Sequence, residues 1–195
     1  MIKQVELMEI VEKYRDNGIV VPTMTGSRGW NAVSSNKNRD IPLGGAMGKA
    51  SSFALGVALA QPDKRVIIFD GDGSLLMNLG TLVTIAEKAP KNLYHFVLEN
   101  GVYAVTGGQP IPGNNKISFS GMAKEAGYAS AFEFDDLEDF ASRAEEVMGA
   151  EGPVFICVKT IPEIQNEPMG LRAPSGVKPT KAAIQDLKKD LGFQG

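Results

Sequence analysis

Short apolar runs alternate with helix-period segments along this 195-residue chain, and that alternation constrains the fold more than any other feature. Val66-Ile67-Ile68-Phe69 is the clearest run: β-prone residues, too few for a helix of their own, that read as a buried strand. Ile19-Val20-Val21, ending at Pro22, is another, and further strands are expected over 93–98, 129–133 and 153–159. Helical patterns are read over 46–60, 74–89, 119–126 and 136–149. They are preceded by a segment in which Ile2, Val5, Leu7, Met8, Ile10, Val11 and Tyr14 recur at helical spacing and Asp16-Asn17-Gly18 is the stop. Residues 23–44 and 101–117 read as loops, and the first is long enough to imply function or disorder. Residues 160–179, with Pro162, Pro168, Pro174 and Pro179, read as an extended arm before a final helix near 180–192. Strands alternating with helices mean βαβ units. The expected fold is α/β, a parallel central sheet with helices on both faces, formed as a single domain over 1–195 with 161–195 as a C-terminal arm and helix.

Composition removes several classes of function. With 20 Lys and Arg against 23 Asp and Glu, the chain has no basic excess to attract nucleic acid or an anionic membrane. No apolar stretch approaches the length of a membrane span. Acidic residues inside the N-terminal pattern argue against a secretion signal. The single cysteine, Cys157, excludes an intramolecular disulfide and a CxxC metal site, and its place in Val154-Phe155-Ile156-Cys157-Val158 reads as a buried inert thiol. The cytoplasm is the expected compartment.

Chemistry concentrates where two strands end. Asp70-Gly71-Asp72-Gly73-Ser74 closes the Val66–Phe69 run, and after a spacer of 25 residues (74 to 98) Glu99-Asn100-Gly101 closes the next. Glycines there let the backbone turn sharply and leave amide N–H groups free to face an anion. Asp72 brings a hard carboxylate oxygen to the carboxyl end of its strand, where open α/β sheets bind ligands. Asn100 adds an amide oxygen, and the turn after it offers a backbone carbonyl. Such a set suits magnesium, which then needs phosphate and water oxygens as well, so the site calls for a diphosphate. Two other motifs fail. The Asp70–Ser74 run lacks the glycine and glutamate of a calcium loop, since Leu75 and Thr81 stand in their places. Gly44 to Ser51 lacks the spacing and the hydroxyl of a nucleotide phosphate loop.

Gly71-Asp72-Gly73, a spacer of this length and then Asn-Gly resemble the signature of thiamine diphosphate enzymes. The resemblance runs over roughly residues 18–160, the diphosphate-binding domain of that family. Gly45-Ala46-Met47-Gly48-Lys49-Ala50-Ser51-Ser52, Gly71-Asp72-Gly73-Ser74-Leu75-Leu76-Met77-Asn78 and Thr106-Gly107-Gly108-Gln109-Pro110 look most like the sulfopyruvate and phosphonopyruvate decarboxylase β subunits. The resemblance implies thiamine diphosphate and magnesium as cofactors. Asp72, Asn100 and Val102 would hold the metal, with Gly71, Gly73 and Ser74 in the diphosphate loop. Met47 would wedge beneath the cofactor and bend it into a V, and the Gly45 carbonyl would accept from its aminopyrimidine. Ser27 resembles a hydroxyl offered to the diphosphate. The implied activity is decarboxylation of a small 2-oxo acid. Its catalytic glutamate would come from a separate pyrimidine-binding-domain subunit in an α2β2 or larger hetero-oligomer. The alternatives are an acetolactate-type carboligase, a 2-oxo acid oxidoreductase, or a regulatory subunit without chemistry.

The remaining candidates have plainer readings. His95, the one histidine, lies between Tyr94 and Phe96 in a strand and reads as structural. Glu99 alternates away from Asn100 and also reads as structural. Arg28, Lys49, Lys116 and Arg172 are cations in or beside loops, each read singly as a solvated surface charge. Ala104-Val105 and Ile111 stand near the expected mouth, where relatives tend to carry small hydroxyls, and argue against a doubly charged substrate. The arm over 161–179 suits a segment laid on another subunit, and residues 23–44 are expected to order only when covered.

Overall fold

The computed structural model describes residues 1–45, 47–168, 171–172 and 175–193. Ala46 and Pro174, which belong to two of the segments singled out above, lie outside the described residues. The elements follow in the order α1 (Gln4–Lys13), β1 (Ile19–Pro22), α2 (Met24–Val33), α3 (Ala50–Ala60), β2 (Val66–Gly71), α4 (Asp72–Leu76), α5 (Thr81–Lys88) and β3 (Leu93–Glu99). There follow β4 (Val102–Tyr103), β5 (Gln109–Pro110), α6 (Phe119–Ala126), β6 (Ser130–Phe134), α7 (Leu137–Gly149), β7 (Val154–Lys159) and α8 (Thr180–Asp190).

Five strands form one parallel sheet in the order β1-β2-β3-β7-β6. Because side chains alternate along a strand, each run feeds two cores. Val21, Ile68, Val97 and Phe155 point to the face covered by α3, α5 and α6. Val20, Ile67, Phe69, Phe96 and Ile156 point to the face covered by α1, α2 and α7. Covering both faces is why the strands read as unbroken apolar runs. The α/β expectation holds, and helices lie on both faces.

Several local expectations are corrected. Residues 23–44 are not a structureless loop: α2 occupies their first half. Its two inward glycines lower helix propensity and hide it from a periodicity reading. They also admit close packing. A Cβ on Gly29 would lie 2.8 Å from Met8 Sδ, and one on Gly26 would lie 3.4 Å from Phe69. Trp30, fully buried, supplies the apolar area. The rest of the segment is tied down by Arg15, 2% exposed, whose Nη2 donates to Asp40 Oδ1 at 2.7 Å. Trp30 Nε1 donates to the same oxygen at 2.8 Å. The segment is thus packed within this chain and needs no partner to cover it.

The helix expected over 74–89 is two, α4 and α5, because Asn78 leaves the helical pattern and donates its amide to Gly48 O (3.1 Å) and Ser52 Oγ (3.0 Å). The helix expected from residue 46 begins at Ala50, since Gly48 holds φ +77°, a left-handed conformation no regular helix admits. Residues 101–117 contain the small antiparallel β4–β5 pair. The described part of the C-terminal arm lies on its own chain: Ile161 N–H donates to Ile2 O, Gln165 N–H to Ala104 O, and Thr180 Oγ1 to Pro42 O.

Candidate active site

Parallel pairing sets Gly71 beside Leu98, so the turns that leave β2 and β3 emerge side by side. Asp72 begins α4 there and is 2% exposed. Its Oδ2 accepts the Gly101 N–H and its Oδ1 the Gly73 N–H, each at 2.7 Å. Both glycines are required. Gly101 has φ +75°, and a Cβ on Gly73 would lie 2.5 Å from the Tyr103 ring. Burial pushes the Asp72 carboxyl up to about 6, against the pull of the Gly101, Gly73 and Asn100 N–H groups, with Glu99 adding repulsion. No basic side chain among the described residues pairs with it.

A cavity of about 50 Å³ opens over this carboxylate. The structure brings Met47, Gly71, Asp72, Gly73, Ser74, Asn100 and Val102 to its wall. Asn100 Oδ1 accepts the Val102 N–H at 3.0 Å, which folds the turn and leaves the oxygen one lone pair. One carboxylate, one amide oxygen and one carbonyl would fill half of an octahedral shell, which fits magnesium completed by phosphate and water. No group of three His, Cys, Asp or Glu side chains capable of holding a metal occurs among the described residues.

Met47 is half-buried and lies just before left-handed Gly48, whose N–H donates to Ser74 Oγ at 3.1 Å. Ser74 thereby ties the Met47 turn to the Asp72 turn. Gly45, exposed at φ +85°, does not line the cavity. Neither does Ser27: its Oγ donates to Pro22 O at 3.1 Å, and it faces an adjoining cleft of about 370 Å³.

Met24, Thr25, Tyr103 and Thr106 also line the cavity and were not singled out as site residues from the sequence; Ala104 and Val105, read there as near the mouth, line it too. The usable signal for Met24 and Thr25 was their position after β1, whose carboxyl end shares the sheet edge with β2. Ile111 is corrected. It is 4% exposed and packs beneath Gly73, so it belongs to the core rather than to a mouth.

The plainer readings of the other residues agree with their surroundings. His95 is fully buried, with Nδ1 3.1 Å from Tyr128 Oη. Cys157 Sγ donates to Glu99 Oε2 at 3.0 Å, and burial followed by that carboxylate pushes the thiol far up. Lys49 and Lys116 are exposed. Arg28 and Arg172, read from sequence as unrelated, line the same cleft.

Comparisons with known proteins identify the family and the fold. Residues 23–158 match the model of "Thiamine pyrophosphate enzyme, C-terminal TPP binding domain". The chain is 35% identical to the sulfopyruvate decarboxylase subunit beta of Methanothermobacter thermautotrophicus over 166 residues, 83% of this chain and 84% of that protein. It is 35% identical to the phosphonopyruvate decarboxylase of Streptomyces viridochromogenes over 147 residues, 75% of this chain. The chain spans about a third (36%) of the length of that second relative. Among solved structures, a thiamine diphosphate-dependent 4-hydroxybenzoylformate decarboxylase of Rhodococcus jostii superposes with a TM-score of 0.69 at 23% identity, covering 85% of this chain and 33% of that one, a likeness of fold.

Proposed function

We propose that this chain, which belongs to the thiamine pyrophosphate enzymes through its C-terminal-type TPP binding domain, is the β subunit of a two-chain, magnesium-dependent decarboxylase of a small 2-oxo acid. The observation that carries the reading is Asp72: a buried carboxylate with no basic side chain paired to it among the described residues, clamped by two glycine N–H groups, sharing one cavity with Asn100, Val102 and Met47.

When bound, thiamine diphosphate supplies the electron sink for loss of carbon dioxide. The chain's own residues do the rest. Asp72, the Asn100 amide oxygen and the Val102 carbonyl would hold magnesium, and the Gly71–Ser74 turn would face the diphosphate. Met47 would support the cofactor from its turn, and the Gly45 carbonyl, off the cavity wall, would have to turn toward the aminopyrimidine to accept from it. The Ser27 hydroxyl, turned toward Pro22, would have to rotate to reach the diphosphate. Among the described residues Asp72 is the one carboxylate on the cavity wall, and holding metal leaves it no proton to exchange. As the resemblance to the family implies, the catalytic glutamate would come from a pyrimidine-domain partner, in an α2β2 or larger assembly. A lone reduced thiol fits the cytoplasm, and no helix among the described residues is long and apolar enough to cross a membrane.

The test is reconstitution. Alone, the purified chain is expected to bind cofactor weakly and release no carbon dioxide from a panel of 2-oxo acids. Mixed with a pyrimidine-domain chain, it should turn over with magnesium and thiamine diphosphate. Robust turnover by this polypeptide in isolation would refute the two-chain reading, and thiamine diphosphate affinity unchanged by Asp72→Ala would refute the site.

A further inference from the structure

The sheet face covered by α3, α5 and α6 is apolar except for a short polar chain that the proposed reaction does not use. Ile68 pairs with His95 in the β2–β3 register, so Asp70, two residues on, lies on the same face as His95. Both are fully buried on the face that Ile68, Val97 and Phe155 share. Four buried side-chain polar atoms among the described residues have no hydrogen-bond partner, and two of them, Asp70 Oδ2 and His95 Nε2, lie 3.9 Å from each other. That is about 1 Å beyond a hydrogen bond, a gap that a small turn of the carboxylate or the ring closes. Leaving both atoms orphaned in a core is costly, so their placement calls for a reason.

Both ends of the chain are tied. Asp70 Oδ1 accepts the Gly71 N–H at 2.9 Å, at the turn that leads into Asp72. His95 Nδ1 lies 3.1 Å from Tyr128 Oη, and the Phe155 ring stands edge-on to the imidazole at 5.1 Å between centroids. Burial, with the Asp70 charge adding to it, holds the Tyr128 phenol far above its usual range, so its O–H keeps the proton. Among the described residues that hydroxyl has no acceptor other than Nδ1. Donation there puts the ring proton on Nε2, the nitrogen near Asp70 Oδ2. The other tautomer would leave the phenol proton and Asp70 Oδ2 both unpaired.

We infer that His95 is a positioning residue for the diphosphate turn: its Nε2–H bonds Asp70 Oδ2 as the turn closes on the cofactor, and the Asp70 carboxylate so held fixes Gly71 and the angle at which Asp72 meets the metal. The inference rests on the cofactor reading above and adds to it a residue that touches neither metal nor diphosphate. Groups that hold a metal's ligands from behind act in this way.

His95 is the one histidine of the chain, so its ring gives a single pair of nitrogen signals in NMR. In the full-length protein these should show Nε2 protonated and Nδ1 bare, and the Nε2–H proton should move downfield as magnesium thiamine diphosphate is added. A proton on Nδ1, or a ring signal that the cofactor leaves unmoved, would overturn the inference. Two variants separate positioning from packing. Glutamine carries a donor at the place of Nε2, whereas phenylalanine keeps the ring and offers none. Cofactor affinity, read from the Gly71, Gly73 and Gly101 amide shifts, should fall by about tenfold or more in His95→Phe and by less than about threefold in His95→Gln. Undiminished affinity in His95→Phe, or an equal loss in both variants, would overturn the inference. The wild-type histidine signals decide the matter even where His95→Phe does not fold. Wild-type amides that do not respond to magnesium thiamine diphosphate would refute the cofactor reading itself, and the inference with it.

Discussion

Replacing Asp72 by Asn should stabilise the metal-free protein and abolish its response to cofactor. Asp72 is 2% exposed, and its carboxyl is raised from 3.8 to about 6, chiefly by burial. A carboxyl whose pKa is higher in the fold than in the unfolded chain opposes folding once ionised. The cost is absent below pH 3.8, grows between 3.8 and about 6, and is fully present above. A shift of this size is worth on the order of 3 kcal/mol. Asparagine removes that charge but sets an amide NH2 against one of the two glycine N–H groups, a loss of about 1–2 kcal/mol, so at pH 7.5 in EDTA it should recover only about 1 kcal/mol, or roughly 2–4 °C in Tm. The gain should shrink as pH falls through about 6 and give way to a loss near pH 4. Magnesium thiamine diphosphate should reverse the order, since only the wild type gains from binding. Urea denaturation at the two pH values, with and without cofactor, reads every term. A variant less stable than wild type at pH 7.5 in EDTA, or a gain that does not depend on pH, would refute the reasoning.

Met47→Ala should lower turnover in the assembled enzyme by about tenfold or more while changing cofactor affinity far less, because a support acts on orientation; wild-type turnover would count against it. Ile111→Ala should cost about 2–4 kcal/mol in urea denaturation, as a core truncation, and leave the order of preferred 2-oxo acids unchanged. Tyr128→Phe removes the hydroxyl 3.1 Å from His95 Nδ1 and leaves a buried ring nitrogen unsatisfied, at about 1–2 kcal/mol. Burial, with Asp70 adding to it, holds that phenol far above its usual pKa, so the phenol should stay protonated and the loss should be the same at pH 8 and pH 9. An unchanged Tm would show that the contact carries no stability.

Much of the site was legible because its signals are local. A parallel strand covered on both faces has to be apolar at almost every position, so Val66–Phe69 and Leu93–Leu98 stand out as runs. Asp72 and Asn100 follow those runs directly, and pairing two parallel strands brings their ends together. Cys157 and His95 were legible as core residues for the same reason: each lies inside a run. The α2 helix was hidden because the property that lets it form, glycines facing Met8 and Phe69, is a property of its neighbours rather than of its own sequence. The break between α4 and α5 was hidden likewise, since Asn78 is held by Gly48 and Ser52, 30 and 26 residues earlier.

By itself the sequence determined the layered α/β plan, the place of the strand ends and the metal-like oxygen set, because periodicity and turn chemistry act over a few residues. Tertiary structure alone decided three other matters. It turned the Ser27 hydroxyl toward Pro22, buried Ile111 under Gly73, and brought Arg28 and Arg172, 144 positions apart (28 to 172), to one cleft. The last of these depends on the path of the C-terminal arm back across α2 and the β4–β5 turn. That path is set by long-range contacts such as Gln165 to Ala104 and Thr180 to Pro42, which no short window of residues contains.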